Sequence, residues 1–276
     1  MSFKYFSKNL EVRPIEEATV SLDRIEYTYG FGVYEAIRVS NGVVYFIDDH
    51  IERLMGSAET IRLEHPFAPD AIKKAIFDLV AKIEEPAFNL KVLLIGGTKK
   101  EDALLAILGL HPFFPDKKMY RDGVELSVTH YERLYPHAKT LNMLQSYLSY
   151  RDARAAGCYD SALINRNGFI TEGTRTNFFA MKGNTIYTPR ESDILLGVTR
   201  KAVLRVALKN GFTIEEKDIR IEDLSQYDCV FLTSTSSKIV PIRRVGEVVC
   251  PPASPELRRL MEAFGAFLEE SKGVMI

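Results

Sequence analysis

Short runs rich in apolar, β-favouring residues and bounded by turn residues predict several β-strands in this chain. The runs 35–40 and 43–47 are of this kind, and Asn41-Gly42 between them is typical of a two-residue hairpin turn. Further strands are predicted at 90–95, 104–110, 124–129, 213–215 and 227–232.

Other segments repeat their apolar residues at helical spacing. Asp48 is a suitable N-cap for one such helix, and a second begins near Asp70 and ends before Pro86. A further helix starts at Ser254, with Pro255 at its first position. The remaining predicted helices are 143–156 and one that opens within 196–200 and runs to Asn210.

The stretch Asp160–Pro189 predicts a three-stranded meander, with turns at Asn167-Gly168 and Gly183-Asn184. Inside it, residues 171–177 (Thr-Glu-Gly-Thr-Arg-Thr-Asn) form a polar insert where a continuous strand would be expected. Glu172 in this insert is a candidate for chemistry, and a solvated loop glutamate is the alternative.

The order of the elements predicts an α+β fold with two domains. Strands, then helices, then strands again make residues 1–110 a small domain, and the proline-containing segment 111–118 is a suitable linker. Residues 119–276 form a larger second domain.

Composition narrows the class of protein. The 276 residues carry a net charge of -1 and 46% apolar residues, as in a soluble globular protein. Without a polybasic tract, nucleic acid and anionic membranes are not expected partners, and no run approaches the ~18 apolar residues of a membrane span. The chain has three cysteines, Cys158, Cys229 and Cys250, an odd number with wide spacing. This pattern indicates reduced thiols in a cytoplasmic protein and does not have the spacing of a metal site.

Three features could together bind a phosphate. The predicted helix start at Val198 and Thr199 offers backbone N–H groups without intrahelical partners. The hydroxyl run 233–237 adds Ser234 and Thr235, and Arg53 could add a positive charge. Each feature alone is also common in proteins that bind no phosphate.

A set of short motifs follows in order along the chain: 32–38 (Gly-Val-Tyr-Glu-Ala-Ile-Arg), 49–58, His137–Asn142, 160–164, 171–179, Thr188-Pro189, 196–200 and 231–235. This ordered set resembles the fold type IV pyridoxal-phosphate enzymes, a family that includes branched-chain and D-amino-acid aminotransferases and aminodeoxychorismate lyase. The resemblance covers nearly the whole chain.

The resemblance implies pyridoxal 5′-phosphate as cofactor, a homodimer, and a larger domain with a β-barrel-like core. Lys139 matches the Schiff-base lysine, and Glu172 matches the carboxylate that faces the pyridine nitrogen and keeps it protonated. The residues that match the phosphate cup are Arg53, Val198, Thr199, Ser234 and Thr235.

Three further residues have open roles. Asn177 is expected to hold the cofactor loop, whereas Arg175 could support that loop or contact substrate. Tyr34 matches an aromatic residue of the substrate pocket, and a core tyrosine is the alternative. The substrates implied are small amino and oxo acids.

The usual substrate-carboxylate anchors of the best-known members are missing. Asn89-Leu-Lys91 stands where branched-chain enzymes have Tyr-Xaa-Arg, and residues 96–99 replace the Arg-Xaa-His of D-amino-acid enzymes. A buried carboxylate still needs a cation. Lys238 is the first candidate, with a solvated loop lysine as its alternative; Arg175 is the second, and Lys99 or Lys100 the third.

Lys139-Thr-Leu-Asn142, with no tyrosine following, is the form seen in D-amino-acid aminotransferases and the lyases. We therefore expect transfer from a D-amino acid to 2-oxoglutarate or pyruvate by a ping-pong mechanism. The alternatives are an L-branched-chain aminotransferase, then an (R)-amine transaminase or aminodeoxychorismate lyase. A catalytically silent relative that only binds the cofactor is the non-enzyme alternative.

Overall fold

The computed structural model describes residues 3–111 and 113–270. Pro112, within the predicted linker 111–118, lies outside the described residues, as do the ends of the predicted domains at 1–2 and 271–276. The chain forms two compact units. The first contains the described residues up to Phe113 and the segment Ala138–Asn142, and the second contains Phe114–His137 and Met143–Glu270. The predicted domain 119–276 includes Ala138–Asn142, which the structure groups with the first unit.

The first unit is a six-stranded antiparallel sheet with α2 and α3 packed on one face. The strand order is β2-β1-β6-β5-β3-β4. The strands are β1 (Tyr5–Lys8), β2 (Glu11–Pro14), β3 (Gly32–Ser40), β4 (Val43–Val44), β5 (Ala87–Ile95) and β6 (Leu104–Leu110), and the helices are α1 (Ile25–Tyr29), α2 (Ile47–Thr60) and α3 (Pro69–Val80).

The core of this unit lies between the sheet and α2 and α3. Ile37 on β3 and Leu90 on β5 belong to the same buried cluster as Ile51 on α2 and Ile76 on α3. Since side chains alternate along a strand, Tyr34 and its neighbours on β5 point to the opposite face. That face carries Tyr34, the residue of β3 that was predicted to line the substrate pocket.

The second unit contains a closed barrel. Its elements are α4 (Lys117–Asp122), β7 (Val124–His130), α5 (Leu144–Ala155), β8 (Asp160–Ile164), β9 (Ile170–Gly173), β10 (Asn177–Lys182), β11 (Thr185–Thr188), α6 (Val198–Lys209), β12 (Thr213–Glu216), β13 (Cys229–Ser234), β14 (Lys238–Val245), β15 (Val248–Val249) and α7 (Pro255–Glu270). The ring runs β10-β13-β14-β7-β8-β9 and closes through the pairing of β9 with β10. β7 is parallel to both of its neighbours.

Apolar side chains fill this barrel. Phe178, Val230, Leu232, Val240 and Ile242 lie in one buried cluster. Closure of the ring pairs each of its six strands on both sides, whereas an open sheet exposes edge strands to other chains. The predicted α+β class and β-barrel-like core are therefore confirmed.

Some local predictions were wrong. The predicted strand 43–47 ends at Val44, and Phe46, with φ of 54°, is the N-cap of α2 in place of Asp48. The predicted three-stranded meander contains four strands, because residues 174–176 form a tight turn between β9 and β10.

No helix in the described ranges is long and apolar enough to cross a membrane.

Candidate active site

A bulge in β9 sets the direction of Glu172. Ala162 lies opposite Gly173 and Ile164 lies opposite Ile170, so two steps on β8 face three steps on β9. The extra residue reverses the alternation of side chains. Glu172 is therefore paired with Asn177 on β10, with both side chains on one face. Two residues predicted to bind the cofactor are neighbours for this reason.

The fully buried Asp160 holds the turn after Glu172. Its carboxylate accepts hydrogen bonds from the backbone N–H groups of Ser161 and Thr174, and from the hydroxyls of Thr174 and Thr176. A Cβ at Gly173 would lie 2.1 Å from Thr176 Oγ1, so a side chain there would displace the turn. This buried network fixes the position of the Glu172 backbone.

Arg133 is an ion-pair partner of Glu172. Arg133 Nε donates to Glu172 Oε1, and Arg133 Nη2 donates to Thr174 O at 2.9 Å. The side chains of Arg133 and Glu172 are 10% and 3% exposed. The sequence reasoning missed Arg133, because it lies in an irregular polar segment that has no periodicity to mark it.

Asn177 and Glu172 both hold the backbone that enters α6. Asn177 Nδ2 donates to Leu195 O at 2.7 Å, and the Leu195 N–H donates to Glu172 Oε2 at 3.3 Å. A Cβ at Gly197 would lie 2.1 Å from Asn177 Oδ1, so the close approach requires glycine. The hydrogen bond from Asn177 to Leu195 O is the contact through which Asn177 would hold the loop, as predicted.

The start of α6 has the chemistry of a phosphate site. Gly197 is the N-cap, no side chain caps the helix, and its first turn contains no acidic residue. The first N–H groups, including those of Val198 and Thr199, have no intrahelical partners and lie at the positive end of the helix dipole. This donor set fits the phosphate of pyridoxal 5′-phosphate.

The predicted residues of the 233–237 run lie at one hairpin. Ser234 ends β13 and Thr235 begins the turn into β14. Ser234 Oγ lies 2.6 Å from Ser237 Oγ. Lys238 pairs with Ser234 and has φ of 57°, a left-handed conformation that favours glycine. Such strain clusters at functional sites.

Arg175, the other predicted substrate contact in this unit, is exposed. Its guanidinium carbon lies 3.6 Å from the centre of the Tyr150 ring on α5, a stacking distance. Arg175 therefore lies on the turn 174–176, with its guanidinium group stacked on the ring of Tyr150.

Lys139, in the first unit, belongs to a segment that pairs with β3. Its N–H donates to Ser57 Oγ at 3.0 Å, and its carbonyl accepts from the Tyr34 N–H at 2.9 Å. Lys139 Nζ lies 4.5 Å from the centre of the Tyr34 ring. Lys91 Nζ lies 5.6 Å from the same ring, on a strand where the sequence indicated no anchor. Tyr34 is thus flanked by two ammonium groups.

Arg53 is bound by a buried carboxylate that the sequence reasoning did not single out. Arg53 Nε and Nη2 donate to the two oxygens of Glu35, each at 2.7 Å. His50 Nδ1 lies 2.8 Å from Glu35 Oε2. His50 and Arg53 are three residues apart on α2, so they share one helix face. A polar Glu35 within the apolar face of β3 was the available sign.

The ionisation of this group follows from its contacts. Burial by itself would raise the pKa of Glu35, but the charge and hydrogen bonds of Arg53, with those of His50, lower it from 4.5 to about 2. Burial lowers the pKa of His50 below its ordinary value, against the opposing effect of Glu35. A carboxylate only accepts hydrogen bonds, so a neutral His50 donates through Nδ1–H.

These shifts predict acid sensitivity. The carboxyl of Glu35 is protonated near pH 4.5 in the unfolded chain and near pH 2 in the folded chain. The ionised Glu35 therefore stabilises the folded chain fully above pH 4.5, and this contribution is lost as the pH falls towards 2. Its full size is about 3 kcal/mol, at about 1.4 kcal/mol per pKa unit. The lowered pKa of His50 adds a loss that begins below its ordinary value of 6.5.

Thermal unfolding measured from neutral to acidic pH checks this prediction. The melting temperature of Glu35→Gln should depend less on pH below 4.5 than that of the wild type. Equal slopes for the two proteins in that range would contradict it.

Comparison with known proteins relates these clusters to a family. The family model described as "Amino-transferase class IV" matches residues 32–245. A D-alanine aminotransferase of Bacillus licheniformis is 32% identical over 239 residues, which cover 83% of this chain and 84% of the relative.

Two solved structures are similar over nearly the whole chain. A T.th. branched-chain amino acid aminotransferase, in complex with pyridoxamine 5′-phosphate, has a TM-score of 0.88 and 25% identity and covers 96% of this chain and 93% of its own. A branched-chain aminotransferase of Thermoproteus uzoniensis, with norvaline, has a TM-score of 0.85 and 27% identity and covers 96% and 94%.

Proposed function

The chain belongs to the class IV aminotransferase family, and from this premise we propose that it transfers an amino group from a D-amino acid to 2-oxoglutarate or pyruvate. D-Alanine and D-glutamate are the proposed donors. The cofactor of the family is pyridoxal 5′-phosphate. The observation that supports the choice of a D-amino acid is the segment Lys139-Thr-Leu-Asn142, whose spacing resembles that of the D-amino-acid aminotransferases and the lyases.

The chemistry assigned to each residue follows from its functional group. Bound pyridoxal 5′-phosphate supplies a conjugated ring that stabilises negative charge at the substrate α-carbon. Lys139 would hold the cofactor through its amine until the amine of the amino acid takes its place, and the released Lys139 Nζ would then accept the α-proton. Glu172 would keep the ring nitrogen protonated, and the Arg133 contact fixes the direction of its carboxylate. The first N–H groups of α6 would bind the phosphate.

The preference for a D- or an L-amino acid depends on where the carboxylate of the substrate binds. We propose Lys238 as the cation for it, supported by the strained backbone that Lys238 keeps at the end of the 233–237 run. L-Branched-chain transamination is the second candidate, because the two solved structures named above are branched-chain enzymes.

Half-reaction spectra test the proposed substrate class. The holoenzyme is mixed separately with D-alanine, D-glutamate, L-leucine and (R)-1-phenylethylamine, without an oxo acid. D-Alanine and D-glutamate should change the visible absorption of the bound cofactor fastest. Rapid change with L-leucine alone would favour the branched-chain function, and no change with any donor would favour a catalytically silent relative.

Two substitutions of Lys238 separate its charge from its backbone. Lys238→Ala and Lys238→Gly should both raise the KM for D-glutamate by about tenfold or more, because a charge-assisted contact is lost. Lys238→Gly should also raise the free energy of unfolding by about 1 kcal/mol, because glycine relieves the left-handed strain. Steady-state kinetics and urea unfolding measure both effects. A stabilised Lys238→Gly variant with an unchanged KM would show an ordinary turn lysine.

A further inference from the structure

The carboxylate of Glu35 is sealed within the first unit, while its partner Arg53 reaches the surface. The side chain of Glu35 is 0% exposed, that of His50 is 1% exposed and that of Arg53 is 13% exposed. The three groups form a chain of contacts from a neutral imidazole through a carboxylate to a guanidinium. Arg53 is the outermost member of this chain.

Stability alone does not account for such a buried ion pair. Removing two charges from water costs about as much as their attraction returns, and apolar residues of similar volume stabilise a core equally well. The surrounding sheet and helix already provide a large apolar core around Ile37, Ile51 and Leu54. The contacts of the buried ion pair do have another consequence, which is that they hold the side chain of Arg53 in one orientation.

The contacts fix the plane of the guanidinium. Glu35 binds Nε–H and one N–H of Nη2, which are two of the five donors of Arg53, on one edge of the planar group. The direction of the other three donors is then set by Glu35. His50 binds Oε2 of the same carboxylate, so the carboxylate itself cannot rotate without losing a hydrogen bond.

We infer that Glu35, supported by His50, is a positioning residue that orients Arg53 toward the phosphate of the cofactor. The inference rests on the proposed function, in which Arg53 belongs to the phosphate cup. Because the charges of Glu35 and Arg53 cancel, Arg53 contributes directed N–H donors more than net positive charge. The role of Glu35 is therefore one of orientation, exerted through Arg53.

Binding of two forms of the cofactor to the apoprotein tests this inference without measuring activity. Pyridoxal 5′-phosphate and pyridoxal, which lacks the phosphate, are titrated by absorbance. Glu35→Gln should raise the Kd for pyridoxal 5′-phosphate at least about tenfold, because a carboxamide cannot accept both N–H groups of Arg53. The Kd for pyridoxal should change by less than about twofold.

The sign of the effect separates orientation from charge. Without the negative charge of Glu35, Arg53 would attract a phosphate more strongly by charge alone. Tighter binding of pyridoxal 5′-phosphate to Glu35→Gln, or equal weakening of both ligands, would overturn the inference. Glu35→Gln added to Arg53→Ala should cause no further loss, because the two residues act on one contact.

Three controls complete the experiment. Ser7→Ala changes another fully buried polar residue of the same sheet and should leave the ratio of the two Kd values unchanged. His50→Gln keeps the carboxylate and should show a smaller effect of the same kind, which provides a test if Glu35→Gln does not fold. If Arg53→Ala leaves the ratio unchanged, the phosphate assignment of Arg53 fails; if only Glu35→Gln and His50→Gln leave it unchanged, the positioning inference alone fails.

Discussion

Replacing Lys139 with alanine is expected to lower kcat by about 10⁴-fold, because the reaction loses both the amine that holds the cofactor and the base that moves the α-proton. The backbone contacts of Lys139 with Ser57 and Tyr34 involve main-chain atoms of Lys139, so the variant should keep its fold. Steady-state kinetics and circular dichroism would measure these two properties.

Lys91→Ala is the matched control for Lys139→Ala, because both lysines lie against the Tyr34 ring. Borohydride reduction of the holoenzyme followed by peptide mass spectrometry should find the cofactor mass on Lys139 in the wild type and in Lys91→Ala. It should be absent from Lys139→Ala. Cofactor mass on Lys91 would refute the assignment of Lys139.

The second large effect is expected from Glu172→Gln. A neutral amide does not favour a protonated ring nitrogen, so kcat should fall by about 10²–10³-fold, as when one preorganised electrostatic contact is removed. The substitution also leaves the largely buried Arg133 without a carboxylate, which should lower the free energy of unfolding by about 2 kcal/mol. The cofactor should remain bound, because the start of α6 and Arg53 are unchanged.

Glu132→Gln is the control for Glu172→Gln. Glu132 also pairs with an arginine, Arg166, but that pair lies at the surface, so kcat and stability should stay close to the wild type. Cofactor content measured by absorbance separates a loss of chemistry from a loss of binding. Wild-type kcat in Glu172→Gln with cofactor bound would remove Glu172 from the proposed mechanism.

Local sequence patterns predicted most helices and strands. Helix α2 and the Asn41-Gly42 turn follow from apolar spacing and from glycine at positive φ, which are properties of a few neighbouring residues. Prediction failed where distant contacts decided the structure. The turn between β9 and β10 depends on hydrogen bonds to Asp160, which lies well before it in the chain, so the local pattern indicated a polar insert in one strand and not two separate strands.

The candidate site shows the same division. The motif order predicted Lys139 and Glu172 as site residues, and the structure contains a neighbour for each in Tyr34 and Arg133. The ion-pair partner of Glu172 carries no periodic or compositional mark. Arg133 lies in an irregular segment, and its pairing becomes visible only when β9 is in place.

The sequence by itself determined the α+β class, the strand and helix pattern and the family, because hydrophobic periodicity, turn residues and motif order are properties of the linear chain. Only the tertiary structure decided the closure of the barrel, the bulge that turns Glu172 toward Asn177, and the burial of Glu35 against Arg53. Those features arise from register and from contacts between residues far apart in sequence, and a one-residue shift of register would move each side chain to the opposite face.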